Sequence, residues 1–227
     1  MIKIKLPLRI VNFKTFKEAM GRRAITIAKQ AEKVSIEVNV CIAVAPQLVD
    51  LSSVAKEVSI PVFAQHIDPI VPGSFTGHIL PEAVKEAGAI GAIIGHAERE
   101  VSLADIFKAV KRARDVGLIS VVCCGTDEIC AACAPLRPNM IALEPPELIG
   151  TNISVSKAKP HSILKAVKYI KSVDKNIGVL CGAGIKTKED VIKAMEYGAE
   201  GIMVGSIVKA KNFYNVLLDL AEAMNET

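Results

Sequence analysis

Tryptophan is absent from this chain, and aromatic residues make up only 4% of it. With few rings for bases to stack on, and 28 basic residues scattered against 24 acidic ones without forming an arm, nucleic-acid binding has no support. No apolar run approaches the roughly 20 residues that cross a bilayer. The N-terminus runs into a strand pattern and not into the charged, apolar and small-residue order of a secretory signal. These absences lead us to expect a cytoplasmic protein that uses neither membrane nor nucleic acid as a partner. Six cysteines are present, but Cys123-Cys124 and Cys130-Ala-Ala-Cys133 have neither a second pair at zinc spacing nor a nearby histidine. They read as reduced, buried small hydrophobes, so no metal is expected.

What is present is core. Hydrophobic residues form 51% of the 227-residue chain, in apolar runs of strand length that alternate with amphipathic stretches of helical length. Strands are expected at 8–13, 39–45, 62–65, 90–95, 119–123, 140–144, 178–181 and 201–204. Helices are expected at 16–33, 47–58, 81–87, 103–116, 127–134, 161–172, 188–197 and 213–224. Gly88, Gly117 and Gly198 fall just past helix ends, where a glycine relieves the left-handed turn. Eight strand–helix units joined by short connections predict one (β/α)8 barrel spanning 1–227. An open doubly wound sheet would need a glycine-rich phosphate loop after the first strand, and Asn12-Phe13-Lys14-Thr15 is not one. Two connections, 66–80 and 145–160, are longer than packing requires and are candidate binding loops.

In such a barrel the C-terminal strand ends share one rim, which decides which polar residues meet. Asn12 and Lys14 close the first strand, His96 follows the fourth and Glu144 ends the sixth. Gly182-Ala183-Gly184 follows the seventh, and Gly205-Ser206 follows the eighth. Alone, Glu144 reads as a carboxylate ending a strand before the stiff Pro145-Pro146 turn. Beside Lys14 and His96 it becomes a base next to a fixed positive charge and a neutral hydrogen-bond donor. That set moves a proton beside a carbonyl through an enediolate. The small residues after strands seven and eight let backbone N–H groups approach an anion, and a net charge of +4 suits a small anionic substrate.

The chain resembles the triosephosphate isomerase family in its shorter archaeal form. The resemblance rests on Asn12-Phe-Lys14-Thr, Gln65-His-Ile-Asp-Pro69 with Gly73-Ser-Phe-Thr-Gly-His78, and Gly95-His-Ala-Glu-Arg99. It continues through Glu144-Pro-Pro-Glu-Leu-Ile-Gly-Thr151, Val155-Ser-Lys-Ala-Lys-Pro160 and Leu180-Cys-Gly-Ala-Gly-Ile185. It implies interconversion of dihydroxyacetone phosphate and glyceraldehyde 3-phosphate without cofactor. In that reading Glu144 is the base, His96 polarises the carbonyl, and Lys14, with Asn12 beside it, stabilises the developing charge. The phosphate is held near Ile149, Gly150, Gly182, Ala183, Gly184, Gly205 and Ser206 under a lid at 145–156. Glu98 and Arg99 stand behind the site as supports.

Three positions depart from the family pattern. Ala97 replaces a serine whose hydroxyl holds the resting glutamate, Asn152 replaces a lid glycine, and the stretch 201–207 is one residue shorter. A catalytically weakened homologue that binds phosphosugars or serves a structural role, or a different sugar-phosphate isomerase, is the alternative expectation. The resemblance also implies a homo-oligomer, dimer or tetramer, in which Thr76 of the 65–78 loop reaches a neighbour's Lys14.

Overall fold

The structure is a computed structural model that describes residues 4–226. The ends of the expected 1–227 domain, residues 1–3 and 227, lie outside the described residues. Among the described residues there are eight parallel strands: β1 (Leu8–Asn12), β2 (Cys41–Ala45), β3 (Phe63–Ala64), β4 (Gly91–Ile94), β5 (Ile119–Cys124), β6 (Met140–Leu143), β7 (Gly178–Gly182) and β8 (Gly201–Val204). They pair in the order β2-β1-β8-β7-β6-β5-β4-β3. An isolated parallel bridge between Val44 of β2 and Val62, the residue before β3, brings the two ends of this order together and closes the ring.

The helices are α1 (Arg22–Val38), α2 (Leu48–Glu57), α3 (Pro81–Glu86), α4 (Leu103–Val116), α5 (Asp127–Cys133), α6 (Val155–Ala158), α7 (Pro160–Val173), α8 (Lys188–Glu196) and α9 (Phe213–Glu222). The expected (β/α)8 alternation is therefore present, with α6 as an extra turn inside the β6–α7 connection. Among the described residues no helix is long and apolar enough to cross a membrane.

Strand periodicity sorts the core into two layers. Leu8 and Ile10, Val121 and Cys123, Met140 and Ala142, with Leu180 and Met203, fill the barrel interior. The alternate residues, such as Val11, Val122, Ile141 and Val179, pack outward against the helices. Period two then carries the interior face upward, so the next inward position on β1 is Asn12 and the next beyond β6 is Glu144.

Two expected boundaries move for identifiable reasons. The first helix does not begin at residue 16: Lys17–Ala19 form a 3-10 turn, and Gly21 at φ +57° breaks the chain before α1 starts at Arg22. Residue 39 does not open β2, because Asn39 takes a left-handed φ of 53° and caps α1 through its N–H to the Ser35 carbonyl. Gly88, Gly117 and Gly198 all have positive φ just past helix ends, as expected. All six cysteines are free, five of them buried, and Cys41 half-buried.

Candidate active site

The rim residues meet in a cavity of about 260 Å³ at the C-terminal mouth, lined among others by Asn12, Lys14, His96, Glu98 and Glu144. Lys14 is held in an uncommon left-handed conformation at φ 47°. Its N–H donates to the Asn12 side chain at 3.0 Å, and Gln65 Nε2 donates to its carbonyl at 2.9 Å and to that of Ala45 at 3.0 Å. A local turn and a cross-strand clamp thus aim its side chain over the mouth, where its ammonium pairs with Glu98 at 2.7 Å. Gly205 is small for this purpose as well: a Cβ there would lie 2.9 Å from Lys14 Cε.

His96 caps the 3-10 turn Ala97–Arg99, and its Nδ1 accepts the Glu98 backbone N–H at 3.1 Å. An accepting Nδ1 carries no proton, so the remaining proton of a neutral ring sits on Nε2. Burial, and then the Lys14 charge, push the imidazole below its ordinary value, which keeps the ring neutral. Nε2 stands 3.4 Å from Glu144 Oε2.

Glu144 is only 5% exposed, and its Oε2 is buried with no hydrogen-bond partner among the described residues. Burial pushes its carboxyl up to about 7, while Lys14 and a hydrogen bond from the Cys123 thiol pull it back. Gly182 does not line the cavity as expected of a substrate-binding residue. It lies behind the carboxylate, where a Cβ would come within 2.2 Å of Glu144 Oε1, so its smallness makes room for the Glu144 side chain. Ala97 donates nothing from its side chain, and the thiol of β5 supplies a hydrogen bond to the base.

The rest of the wall includes Ile149 and Gly150 of the 145–156 segment, Ala183, Gly184, Gly205 and Ser206. Gly184 at φ +70° leaves no room for a side chain: a Cβ would fall 1.9 Å from the Ile153 carbonyl oxygen. The 145–156 segment therefore rests directly on the β7–α8 turn, and Val155 N–H bonds Ala183 O at 3.1 Å. Ser154 donates to Asp190 at 2.8 Å and Ser156 to the Asp190 carbonyl at 2.9 Å, fixing the end of this segment to the start of α8. Asn152 accepts a hydrogen bond from Lys186. Lys159 pairs with Glu147, tying together the two ends of the connection between β6 and α7.

Arg99 does not line this cavity but an adjoining one, which shares Asn12, Lys14, His96 and Glu98 with it and adds Gln65 and His66. Sequence reasoning missed Phe16, Gln65, Cys123 and Lys209. Cys123 carried a signal, since it occupies the inward period of β5 one register step from the rim. Gln65 heads the motif Gln65-His-Ile-Asp-Pro69, but its bonds to the Lys14 and Ala45 carbonyls, like the placement of Lys209 over Phe16, join residues far apart in the chain and leave no local pattern.

A closed parallel barrel whose C-terminal mouth joins a buried carboxyl, a neutral imidazole and a cation beside backbone-rich turns defines a barrel enzyme of proton-transfer type. The model of the triosephosphate isomerase family matches residues 7–221. The triosephosphate isomerase of Methanocaldococcus jannaschii is 48% identical over 94% of this chain and 98% of that protein. That of Methanothermus fervidus is 48% identical over 96% and 99%, and that of Archaeoglobus fulgidus 46% over 95% and 97%. The chain belongs to the triosephosphate isomerase family.

Proposed function

We infer that this chain, whose relatives carry the name triosephosphate isomerase, interconverts dihydroxyacetone phosphate and glyceraldehyde 3-phosphate. The observation that carries the assignment of roles is the pair at the base of the cavity, a buried unpaired Glu144 Oε2 facing a neutral His96 Nε2–H at 3.4 Å. Ionised Glu144 takes a proton from the carbon next to the substrate carbonyl. The C–H electrons form the enediol double bond, the carbonyl π pair moves to oxygen, and His96 Nε2–H donates a hydrogen bond to it. Lys14 stabilises the negative charge that develops there. His96 gives its Nε2 proton to that oxygen and takes the proton of the neighbouring hydroxyl, which moves the enediolate charge to the second oxygen. That oxygen forms the new carbonyl as the double-bond pair takes the proton from Glu144 onto the former carbonyl carbon, which restores both groups.

The phosphate sits against the turns at Ile149, Gly150, Ala183, Gly184, Gly205 and Ser206, and the 145–156 segment covers it. Covering matters because an enediolate beside a phosphate ester is lost to elimination when water enters. Side chains and backbone amides supply this chemistry without a cofactor. We also read residues 1–227 as one domain that works as a homo-oligomer. The 66–80 loop supports association, since it leaves Val71 and Phe75 exposed beside Thr76.

A coupled assay with glyceraldehyde 3-phosphate tests the reading. Wild type turns over, and Glu144→Gln loses about 10²–10⁴-fold in kcat. Wild-type turnover no faster than the Glu144→Gln background contradicts it. The intact trio favours this reading over a weakened binder.

A further inference from the structure

The cations around the mouth are not equivalent. Lys14 is matched to Glu98 at 2.7 Å, so this pair brings little net charge to the cavity. His96 is neutral, and Glu144 must be ionised to act as base. With these four groups alone, the mouth would hold a net charge of −1 in the state that accepts a phosphate dianion. Such a field repels the ligand.

Lys209 also lines the cavity, at the end of the 3-10 turn Ser206–Lys209 that starts beside the phosphate wall. Its ammonium makes no ion pair among the described residues. Instead it stands 4.9 Å from the ring centroid of Phe16, which itself lines the cavity two residues beyond Lys14. A ring face attracts a cation without consuming its N–H donors, so Phe16 holds the charge at the wall and leaves its hydrogen-bonding capacity open. Lys186 does not play this part, because it is tied to Asn152 and does not line the cavity.

We propose that Lys209, parked on Phe16, is the uncompensated cation that draws the substrate phosphate into the site and offsets the ionised base. The inference rests on reading this cavity as a phosphate-ester site. It assigns Lys209 to binding and not to proton transfer, so its effect falls on KM and on association, with kcat spared.

The test combines calorimetric titration with inorganic phosphate and steady-state kinetics at several ionic strengths. Lys209→Met is expected to weaken phosphate binding and raise KM by about three- to tenfold, and to flatten the decline of kcat/KM with salt. Lys209→Arg restores both, and Phe16→Leu, which keeps the charge but removes its platform, falls between. Phosphate affinity and salt slope unchanged in Lys209→Met overturn the proposal, as does a loss that arginine fails to rescue or a wild type that binds no phosphate. Failure of the reaction reading is separate: a wild type that binds phosphate through Lys209 but does not isomerise would refute the assigned reaction and leave Lys209 in place.

Discussion

Glu144 shows what burial does to a base. Its carboxyl stands near 7 in the folded chain against an ordinary 4.5, chiefly through desolvation. The folded state therefore holds a proton between about pH 4.5 and 7 that the unfolded state releases. Stability falls as pH rises across that window and is lower by about 3 kcal/mol above it. Glu144→Gln removes the penalty. In urea unfolding, the variant should exceed wild type by up to about 3 kcal/mol at pH 8 and match it near pH 4.5; an equal difference at both pH values would contradict the assignment. Activity runs the opposite way, since only the ionised base accepts a proton, and kcat/KM climbs with pH up to about 7. A single group that is costly to the fold and required for the reaction is a functional site in the thermodynamic sense.

At the scale of elements, the lid depends on α8. Burial alone would raise the Asp190 carboxyl, but the Lys186 and Thr187 amides, Lys157 and the Ser154 hydroxyl together hold it down at about 2. The same carboxylate closes the capping box with Thr187, so one side chain starts a helix and anchors a hinge. Its contribution is present above about pH 4 and is lost as pH falls through 2. Asp190→Asn should cost about 2 kcal/mol at pH 7, a deficit that shrinks as pH approaches 2. Hydrogen exchange at the Val155 and Lys157 amides should speed up with it. Unchanged exchange there would show that the hinge is held by other contacts.

The lid also shows where sequence stops being legible. Glu144, the two prolines and the positive-φ Gly150 are local features that periodicity and turn chemistry expose. The Ser154–Asp190 and Lys159–Glu147 contacts join residues far apart in the chain, and α6 is too short to leave a periodic trace. At β1–α1 a helical pattern hid the break at Gly21, because the amphipathic spacing continues across it.

For the whole molecule, closure of the ring decides everything else, since it brings Asn12, His96 and Glu144 from three strands to one mouth. Strand count and alternation were legible because parallel strands buried on both faces are short, apolar and separated by helices. Arg9 was not. It lies fully buried on β1 among apolar neighbours and donates to the Leu217 and Leu220 carbonyls of α9, an outward-facing helix contact invisible to a strand pattern. Association belongs to this scale too. Sedimentation at micromolar concentration should give a dimer or larger species, and Thr76→Arg, placed on the exposed loop, should shift it toward monomer with loss of activity. A wild type that sediments only as monomer would refute the homo-oligomer.

The central claim is that Glu144 moves a proton on carbon at this mouth. Incubating dihydroxyacetone phosphate with the protein in deuterium oxide and reading the products by NMR tests it most directly. The account predicts glyceraldehyde 3-phosphate carrying deuterium on the carbon next to the carbonyl, together with deuterium exchanged into recovered dihydroxyacetone phosphate, both abolished by Glu144→Gln. Substrate recovered without deuterium from the wild type, or labelling that persists in Glu144→Gln, would contradict it.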